Sequence, residues 1–155
     1  MFETIAWATD GSELADKALD QVRKLAEIHG SRIVAVYANE LFTGPFAGAL
    51  PYDEEPGVRD KLAEQIDELR ADGFDAELKV PTGTQHIATL VERAADEVDA
   101  DLIVVGTHGR SGFSAALMGS VARELCHSSQ RPVLVVPPAG RVKEPSGETE
   151  RRTPA

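Results

Sequence analysis

The chain has 155 residues, of which 42% are hydrophobic, and a formal net charge of −10 at pH 7. This length suits one domain with a proper core, and the acidic balance argues against a nucleic-acid partner, because phosphate backbones are bound by clustered Lys and Arg. No apolar run approaches the ~20 residues that span a bilayer, and no basic stretch with an apolar signal core begins the sequence, so we expect a cytoplasmic protein with no membrane partner.

Strand-like and helix-like apolar patterns alternate along the first half of the chain. Asp10-Gly11-Ser12 is interpreted as a turn, with Asp10 or Ser12 capping the helix that follows, and Gly30 ends that helix as a C-cap. Trp7 is expected in the core. The predicted elements are a strand from Thr4 to Thr9, a helix with Ala15, Ala18, Leu19, Val22, Leu25 and Ala26 on one face, a strand from Arg32 to Ala38, and a helix with Val58, Leu62, Ile66 and Leu69 that Gly73 closes.

Residues 39–56 are predicted to form a long loop, because two glycines and three prolines interrupt them. Loops of this length are uncommon unless they cover a site or lack order. We expect the aromatic side chains of Phe42, Phe46 and Tyr52 to pack the loop onto the domain rather than to bind a ligand.

The second half of the chain continues the alternation of predicted strands and helices, which ends with the strand at Val136. The single cysteine, Cys126, excludes an internal disulfide and fits a reducing compartment; its helical spacing from Ala122 predicts a small core residue. The predicted elements are a strand from Ala76 to Val80, a helix from near Thr84 to near Asp99, a strand from Asp101 to Val105, a helix containing Val121 to Cys126, and a strand from Pro132 to Val136.

Pro137-Pro138 ends the predicted domain, which therefore covers residues 1–137. Residues 138–155 are rich in Pro, Gly, Glu and Arg, and we expect a disordered tail. The tail carries a net charge of +1, so the domain itself carries −11. Such a surface repels free anions, and any phosphate site must be local and built mainly from backbone donors.

Alternating strands and amphipathic helices predict a parallel sheet with helices on both faces. Ligands of such sheets bind at the carboxyl ends of the strands, where the strand order reverses. Asp10 ends the first strand and Gly106 ends the fourth. If these two strands are neighbours, both residues line one crevice.

The pattern Gly106-x2-Gly109-x9-Gly119-Ser120 lies between a buried strand and a helix, which is the setting that a phosphate loop requires. Glycines let backbone N–H groups approach an anion, and a helix N-terminus adds unpaired donors. The alternative is that these glycines only turn the chain. The spacing matches neither a P-loop nor a Gly-x-Gly-x-x-Gly dinucleotide turn.

Residues 2–137 resemble the universal stress protein family, and specifically its ATP-binding branch. The resemblance rests on the glycine pattern above and on three further segments: Ala8-Thr9-Asp10-Gly11-Ser12, Ala100 to Gly106, and Pro132 to Val136. One departure is visible, because Gly83-Thr84-Gln85-His86 lacks the proline that many relatives carry after that glycine. The resemblance implies a five-stranded parallel sheet of order 3-2-1-4-5, the adenine-nucleotide alpha-hydrolase-like variant of the doubly wound fold.

The resemblance also implies a nucleotide site. Asp10 would lie beside adenine and ribose, backbone groups near Val36 and Tyr37 would meet the adenine edge, and magnesium or manganese would bridge the phosphates of ATP. The residues that the resemblance assigns to nucleotide binding are Thr9, Asp10, Val36, Tyr37, Gly106, Thr107, His108, Gly109, Arg110, Gly119, Ser120 and Val121. Of these, Arg110 is equally compatible with a solvated loop charge, and a lone loop histidine such as His108 is usually just exposed.

The functional interpretation is an ATP-binding regulator of the stress response with at most slow hydrolysis. Fast phosphate chemistry needs a positioned base and strong cations, and no lysine accompanies the glycine pattern. No catalytic residue is assigned, and the dispersed His29, His86 and His127 form no metal-ligand set with Cys126. The alternative is a nucleotide-hydrolysing enzyme, or an AMP or cAMP sensor, on the same fold.

Val133 to Val136 would form an apolar edge strand in the implied order, and such an edge invites pairing with another chain. Homodimers paired through this strand are frequent in the family that the chain resembles, so we expect a homodimer. The alternative is a monomer whose tail covers the edge.

Overall fold

A five-stranded parallel sheet forms the centre of the structure. The computed structural model describes residues 1–44, 48–51, 55–107 and 118–138. The strands of this sheet run in the order β5-β2-β1-β7-β8, which confirms the predicted fold and order. Their bounds are β1 (Thr4–Ala8), β2 (Arg32–Val36), β5 (Ala76–Lys79), β7 (Leu102–Gly106) and β8 (Val133–Val136), each one or two residues shorter than the predicted strand or displaced from it by one residue.

In the described residues, four helices cover the two faces of the sheet: α1 (Glu13–His29), α2 (Val58–Ala71), α3 (Ile87–Glu97) and α4 (Ser120–Ser128). The first pair packs on one face around the fully buried Trp7, as the sequence predicted. The second pair packs on the other face around Ile103 and Leu90. In the described part of the chain, no helix is both long and apolar enough to cross a membrane.

The first helix begins and ends where its sequence dictates. Ser12 is the N-cap, and its hydroxyl accepts a hydrogen bond of 3.3 Å from the Ala15 amide. Gly30 is the C-cap in the left-handed conformation, with φ 68°, and its amide donates to the Ala26 carbonyl. A side-chain cap and a left-handed glycine satisfy backbone groups that the helix leaves unpaired. Ser12 is therefore the cap, and Asp10 has a separate role.

The prediction of a long loop over residues 39–56 is wrong. Two strands, β3 (Asn39–Gly44) and β4 (Gly48–Pro51), pair antiparallel, and β3 also pairs with the short β6 (Thr82–Gly83). This pairing satisfies backbone donors and acceptors that a structureless segment would leave to water. Phe42 does not pack the segment onto the domain, because it is 65% exposed; Phe46 and Tyr52 lie outside the described residues.

Two further predictions need correction. Cys126 is exposed and not a core residue, because the buried face of α4 consists of Ala122 and Leu125 and the next residue is rotated away from it. The third helix begins at Ile87 rather than near Thr84, after His86 at its N-cap position.

Asp101 attaches the start of β1 to the start of β7. Its carboxylate oxygen Oδ2 accepts hydrogen bonds from the Glu3 amide at 2.7 Å and the Thr4 amide at 2.9 Å, and its own amide donates to the Thr4 carbonyl at 2.9 Å. The bonds from Thr4 and Glu3 lower the pKa of this carboxyl from its ordinary value of 3.8, because they favour the charged acceptor.

We expect Asp101→Asn to reduce the free energy of unfolding by about 1 kcal/mol at pH 7, since the side chain is partly exposed. A depressed pKa stabilises the fold above the unfolded-state pKa, and this contribution is lost as the pH falls through the folded-state pKa. The difference from wild type should therefore be constant above about pH 5 and vanish at acidic pH below 3.8. Urea unfolding from pH 2.5 to 7 measures it. The control is Asp75→Asn, whose carboxylate is exposed and 3.8 Å from Arg32. A variant difference that persists unchanged at pH 2.5 would contradict the assignment.

Candidate functional site

The carboxyl ends of β1 and β7 lie side by side at the point where the connections of the sheet change direction. From β1 the chain proceeds to β2 and β5 on one side, whereas β7 and β8 lie on the other. Ala8 is paired with Val105, so Thr9 and Asp10 follow at the level of Gly106 and Thr107. From the sequence, Asp10 and Gly106 are expected to line one crevice if these strands are neighbours. The strands are neighbours, and both residues lie at the carboxyl end of the sheet. Such a switch point leaves a crevice between the diverging loops.

Asp10 lies in a turn that is held by side chains. Its Oδ1 accepts a hydrogen bond of 3.0 Å from the Ser12 amide, and the hydroxyl of Thr9 accepts one of 3.1 Å from the Gly11 amide. Gly11 has φ +77°, a conformation that L side chains rarely adopt. The carboxylate of Asp10 is therefore oriented by the backbone that follows it, at the edge shared with β7.

Residues of α2 hold the same turn from the opposite side. The ammonium of Lys61 donates to the Gly11 carbonyl and to Oδ2 of Asp16, both at 2.7 Å, and the amide of Gln65 donates to Oδ1 of Asp16 at 2.9 Å. Val58 is 7% exposed and packs against the turn. Nothing in the sequence pattern marks Lys61, because an apolar helical face identifies buried positions and not the polar contacts beside them.

The start of α4 is placed at the end of β7 by one backbone hydrogen bond. The Gly119 amide donates to the Thr107 carbonyl at 2.6 Å, and the Thr107 amide donates to the Val136 carbonyl at 2.9 Å. The amides of Gly119 and Thr107 are thus used within the protein. Gly119 is the N-cap of α4 and provides no side-chain cap.

The first turn of α4 keeps donors that the described residues do not satisfy. Within that part of the chain, the amides of Ser120 and Val121 and the Ser120 hydroxyl make no hydrogen bond, and the first turn carries no acidic residue. By contrast, α1 has a serine cap and two acids in its first turn. Unpaired amides and the positive end of a helix dipole favour an anion at this position.

The end of β2 offers one backbone group where two were predicted. The Val36 carbonyl accepts from the Thr9 amide at 3.0 Å, and the Tyr37 amide donates to the Lys79 carbonyl at 2.9 Å. The Tyr37 carbonyl lies opposite Pro81 in the ladder between β2 and β5, and proline has no N–H to donate. Within the described residues, the Tyr37 carbonyl therefore has no ladder partner at the carboxyl end of the sheet.

The remaining predicted site residues, His108, Gly109 and Arg110, lie outside the described residues. Those that are described, from Thr9 and Asp10 to Gly106, Thr107, Gly119, Ser120 and Val121, lie at one edge of the sheet. Among residues 1–44, 48–51, 55–107 and 118–138, no three His, Cys, Asp or Glu side chains are arranged to hold a metal ion.

Comparison with known proteins gives one consistent result. The model of the universal stress protein family matches residues 1–137. A universal stress protein from Thermus aquaticus is 30% identical, over 88% of this chain and 99% of its own length. A solved member of the family from Burkholderia pseudomallei is 31% identical with a TM-score of 0.65, covering 88% of this chain and 96% of that one. A universal stress protein solved in complex with cAMP is 26% identical with a TM-score of 0.63, covering 87% of this chain and 96% of that one.

Proposed function

The chain belongs to the universal stress protein family, and we propose that it binds an adenine nucleotide, with ATP as the ligand, and acts as a nucleotide-dependent regulator of the stress response. The observation that carries the proposal is that the oriented Asp10 carboxylate and the first-turn donors of α4, which the described residues leave unpaired, lie at the switch point of the sheet. The two features suit opposite ends of one nucleotide, because a carboxylate accepts from ribose hydroxyls and helix amides donate to phosphates.

The described residues fit such a ligand. The Tyr37 carbonyl would accept from the amino group of adenine, Asp10 would accept from the ribose, and Ser120 and Val121 would donate to phosphate oxygens. Gly106, Thr107 and Gly119 would form the backbone wall between these groups, with Thr9 supporting the turn. The solved relative in complex with cAMP supports the adenine-nucleotide class. His108, Gly109 and Arg110 belong to the proposed site on the sequence pattern alone.

The anionic tail would be held mainly by backbone dipoles. With a formal net charge of −10, the protein gains from a divalent cation on the phosphates, and magnesium or manganese would be bound by phosphate oxygens rather than by a cluster of protein carboxylates. Asp10 already accepts from the Ser12 amide, which suits a binding role better than that of a base for water. We therefore propose slow hydrolysis at most.

The test is the affinity of the purified full chain for ATP, measured by calorimetry with and without magnesium, together with single-turnover hydrolysis. We expect saturable binding that magnesium strengthens and hydrolysis far slower than one event per second. AMP and cAMP measured in the same way rank the competing ligands. Turnover of many ATP per second would replace the regulatory proposal with an enzymatic one, and no binding of any adenine nucleotide would end it.

A homodimer paired through β8 is the second part of the proposal. This strand lies at the edge of the sheet, and Leu134 on it is 37% exposed. An apolar edge with unpaired backbone groups is stabilised by a second edge.

A cytoplasmic location also stays a proposal, supported by the single cysteine.

We expect Leu134→Lys to convert the dimer to a monomer, because a charge at the centre of the paired edges opposes its symmetry-related copy. Sedimentation equilibrium of the full chain gives the masses. The matched control is Ile28→Lys, which adds the same charge at a site that is 75% exposed on α1. Equal masses for wild type and Leu134→Lys would remove β8 as the interface.

A further inference from the structure

One peptide group connects helix α2 to the carboxylate of Asp10. The peptide between Gly11 and Ser12 presents its carbonyl to Lys61 Nζ at 2.7 Å and its N–H to Asp10 Oδ1 at 3.0 Å. A peptide group is planar, so its carbonyl and N–H point in opposite directions and rotate together. Whatever fixes the carbonyl of this group therefore also fixes the N–H that orients Asp10.

The ammonium of Lys61 is itself held in place. Asp16 of α1 accepts from it at 2.7 Å, and Gln65, one turn further along α2, donates to the other oxygen of Asp16 at 2.9 Å. The side chains of Lys61 and Asp16 are 38% and 30% exposed, so the pair is only partly screened by water. A charged donor on a carbonyl also polarises the peptide, which strengthens its N–H as a donor.

We infer that Lys61 is a positioning residue for nucleotide binding, which acts on Asp10 through the Gly11–Ser12 peptide. This inference rests on the proposed function, because Asp10 is the group that meets the nucleotide there. Lys61 does not touch the nucleotide. Its contribution is to hold the peptide plane in the one orientation in which the Asp10 carboxylate is already aligned, so that binding does not have to order it.

Helix α2 as a whole is connected to Asp10 through this contact. This helix follows the segment that contains β3 and β4, and it contacts the turn through Lys61 and Val58. A displacement of α2 would move the Gly11 carbonyl and, with it, the Asp10 carboxylate. The affinity of the site would then depend on a helix that forms no part of it.

The test compares Lys61→Met with Arg23→Met in the full chain, using ATP with magnesium as the probe. Arg23 forms the matched ion pair, because its guanidinium lies 2.5 Å from Asp72 at the C-cap of α2 and so also joins α1 to α2, far from the turn. We expect similar losses of thermal stability in both variants. Only Lys61→Met should bind ATP about tenfold more weakly, as expected when a hydrogen bond to a charged group is lost. Arg23→Met should stay within about twofold of wild type. Equal affinities in the two variants would overturn the inference.

A second readout separates this inference from the proposed function. The Ser12 amide proton of the nucleotide-free protein should shift upfield in Lys61→Met, because its peptide is no longer polarised, and should not move in Arg23→Met. If wild type binds no ATP, the proposed function is wrong. If the Ser12 amide resonance does not move in Lys61→Met, the inferred link from Lys61 to Asp10 is wrong. If Lys61→Met does not fold, Lys61→Arg takes its place. A shift of the Ser12 amide resonance together with weaker ATP binding supports the inference. A shift with unchanged ATP affinity overturns it.

Discussion

Ser120→Pro should weaken ATP binding by at least about tenfold relative to Ser120→Ala while leaving the fold intact. Ser120 is the first residue of α4, a position where proline is well accepted because the helix does not use that N–H. Gly119 before it has φ −58° and ψ 157°, which is the extended conformation that proline requires of its predecessor. The substitution thus deletes a backbone donor without breaking the helix.

Ser120→Ala is the control that isolates the amide, because it removes the hydroxyl and keeps the N–H. We expect it to cost about fivefold in affinity, and we expect both variants to unfold within about 0.5 kcal/mol of wild type, since Gly119 and not Ser120 is the N-cap residue of α4. Calorimetry gives the affinities and urea unfolding gives the stabilities. Equal ATP affinities for the two variants would show that the Ser120 amide does not hold the phosphates.

Gly11→Ala should lower the free energy of unfolding by about 3 kcal/mol. The left-handed conformation costs a non-glycine residue about 1–2 kcal/mol, and φ at Gly11 is +77°. In addition, a Cβ at this position would lie 2.5 Å from Cγ1 of Val58. Valine is branched at Cβ and has little rotamer freedom with which to yield, so either the turn or α2 must move at a further cost of about 1–3 kcal/mol.

Gly30→Ala is the matched control, because φ is +68° at Gly30 and nothing lies within 4 Å of the added Cβ. It should lose only the conformational part, about 1 kcal/mol. Val58→Ala in the Gly11→Ala background should recover part of the difference, which a double-mutant cycle measures. If Gly11→Ala is no less stable than Gly30→Ala, the contact between the turn and α2 is not a close one. ATP affinity should fall in Gly11→Ala alone, since only that turn carries Asp10.

The fold was predictable from the sequence because the buried positions of its helices and strands form recognisable apolar patterns. Few alternative assignments of secondary structure fit the apolar face of α1, the continuous apolar run of β7 and the glycine at the C-cap of α1. The alternation of strands with helices then favours a parallel sheet. The β3–β4 pair gives no such signal. Strand β3 shows no alternation of buried and exposed side chains, and Phe42 on it is 65% exposed, so no hydrophobic periodicity marks the strand in the sequence.

The candidate site also has a part that sequence patterns predict and a part that they do not. Asp10, Gly106 and the start of α4 follow directly from strand ends and a glycine pattern, and the observed register brings them together. The contact of Lys61 with Gly11 joins two residues that are 50 positions apart in sequence, and its geometry depends on how α2 packs. The Tyr37 carbonyl is singled out only because Pro81 falls opposite it in the ladder. Contacts of this kind need the register of the assembled sheet.

The hydrogen bond between the Thr107 carbonyl and the Gly119 amide joins the residue after β7 to the residue before α4, across eleven intervening residues of the sequence. A segment whose two ends are fastened together can be lengthened, shortened or exchanged without displacing the strand before it or the helix after it. Strand β7 and helix α4 should therefore keep their relative position when the number of residues between Thr107 and Gly119 is changed.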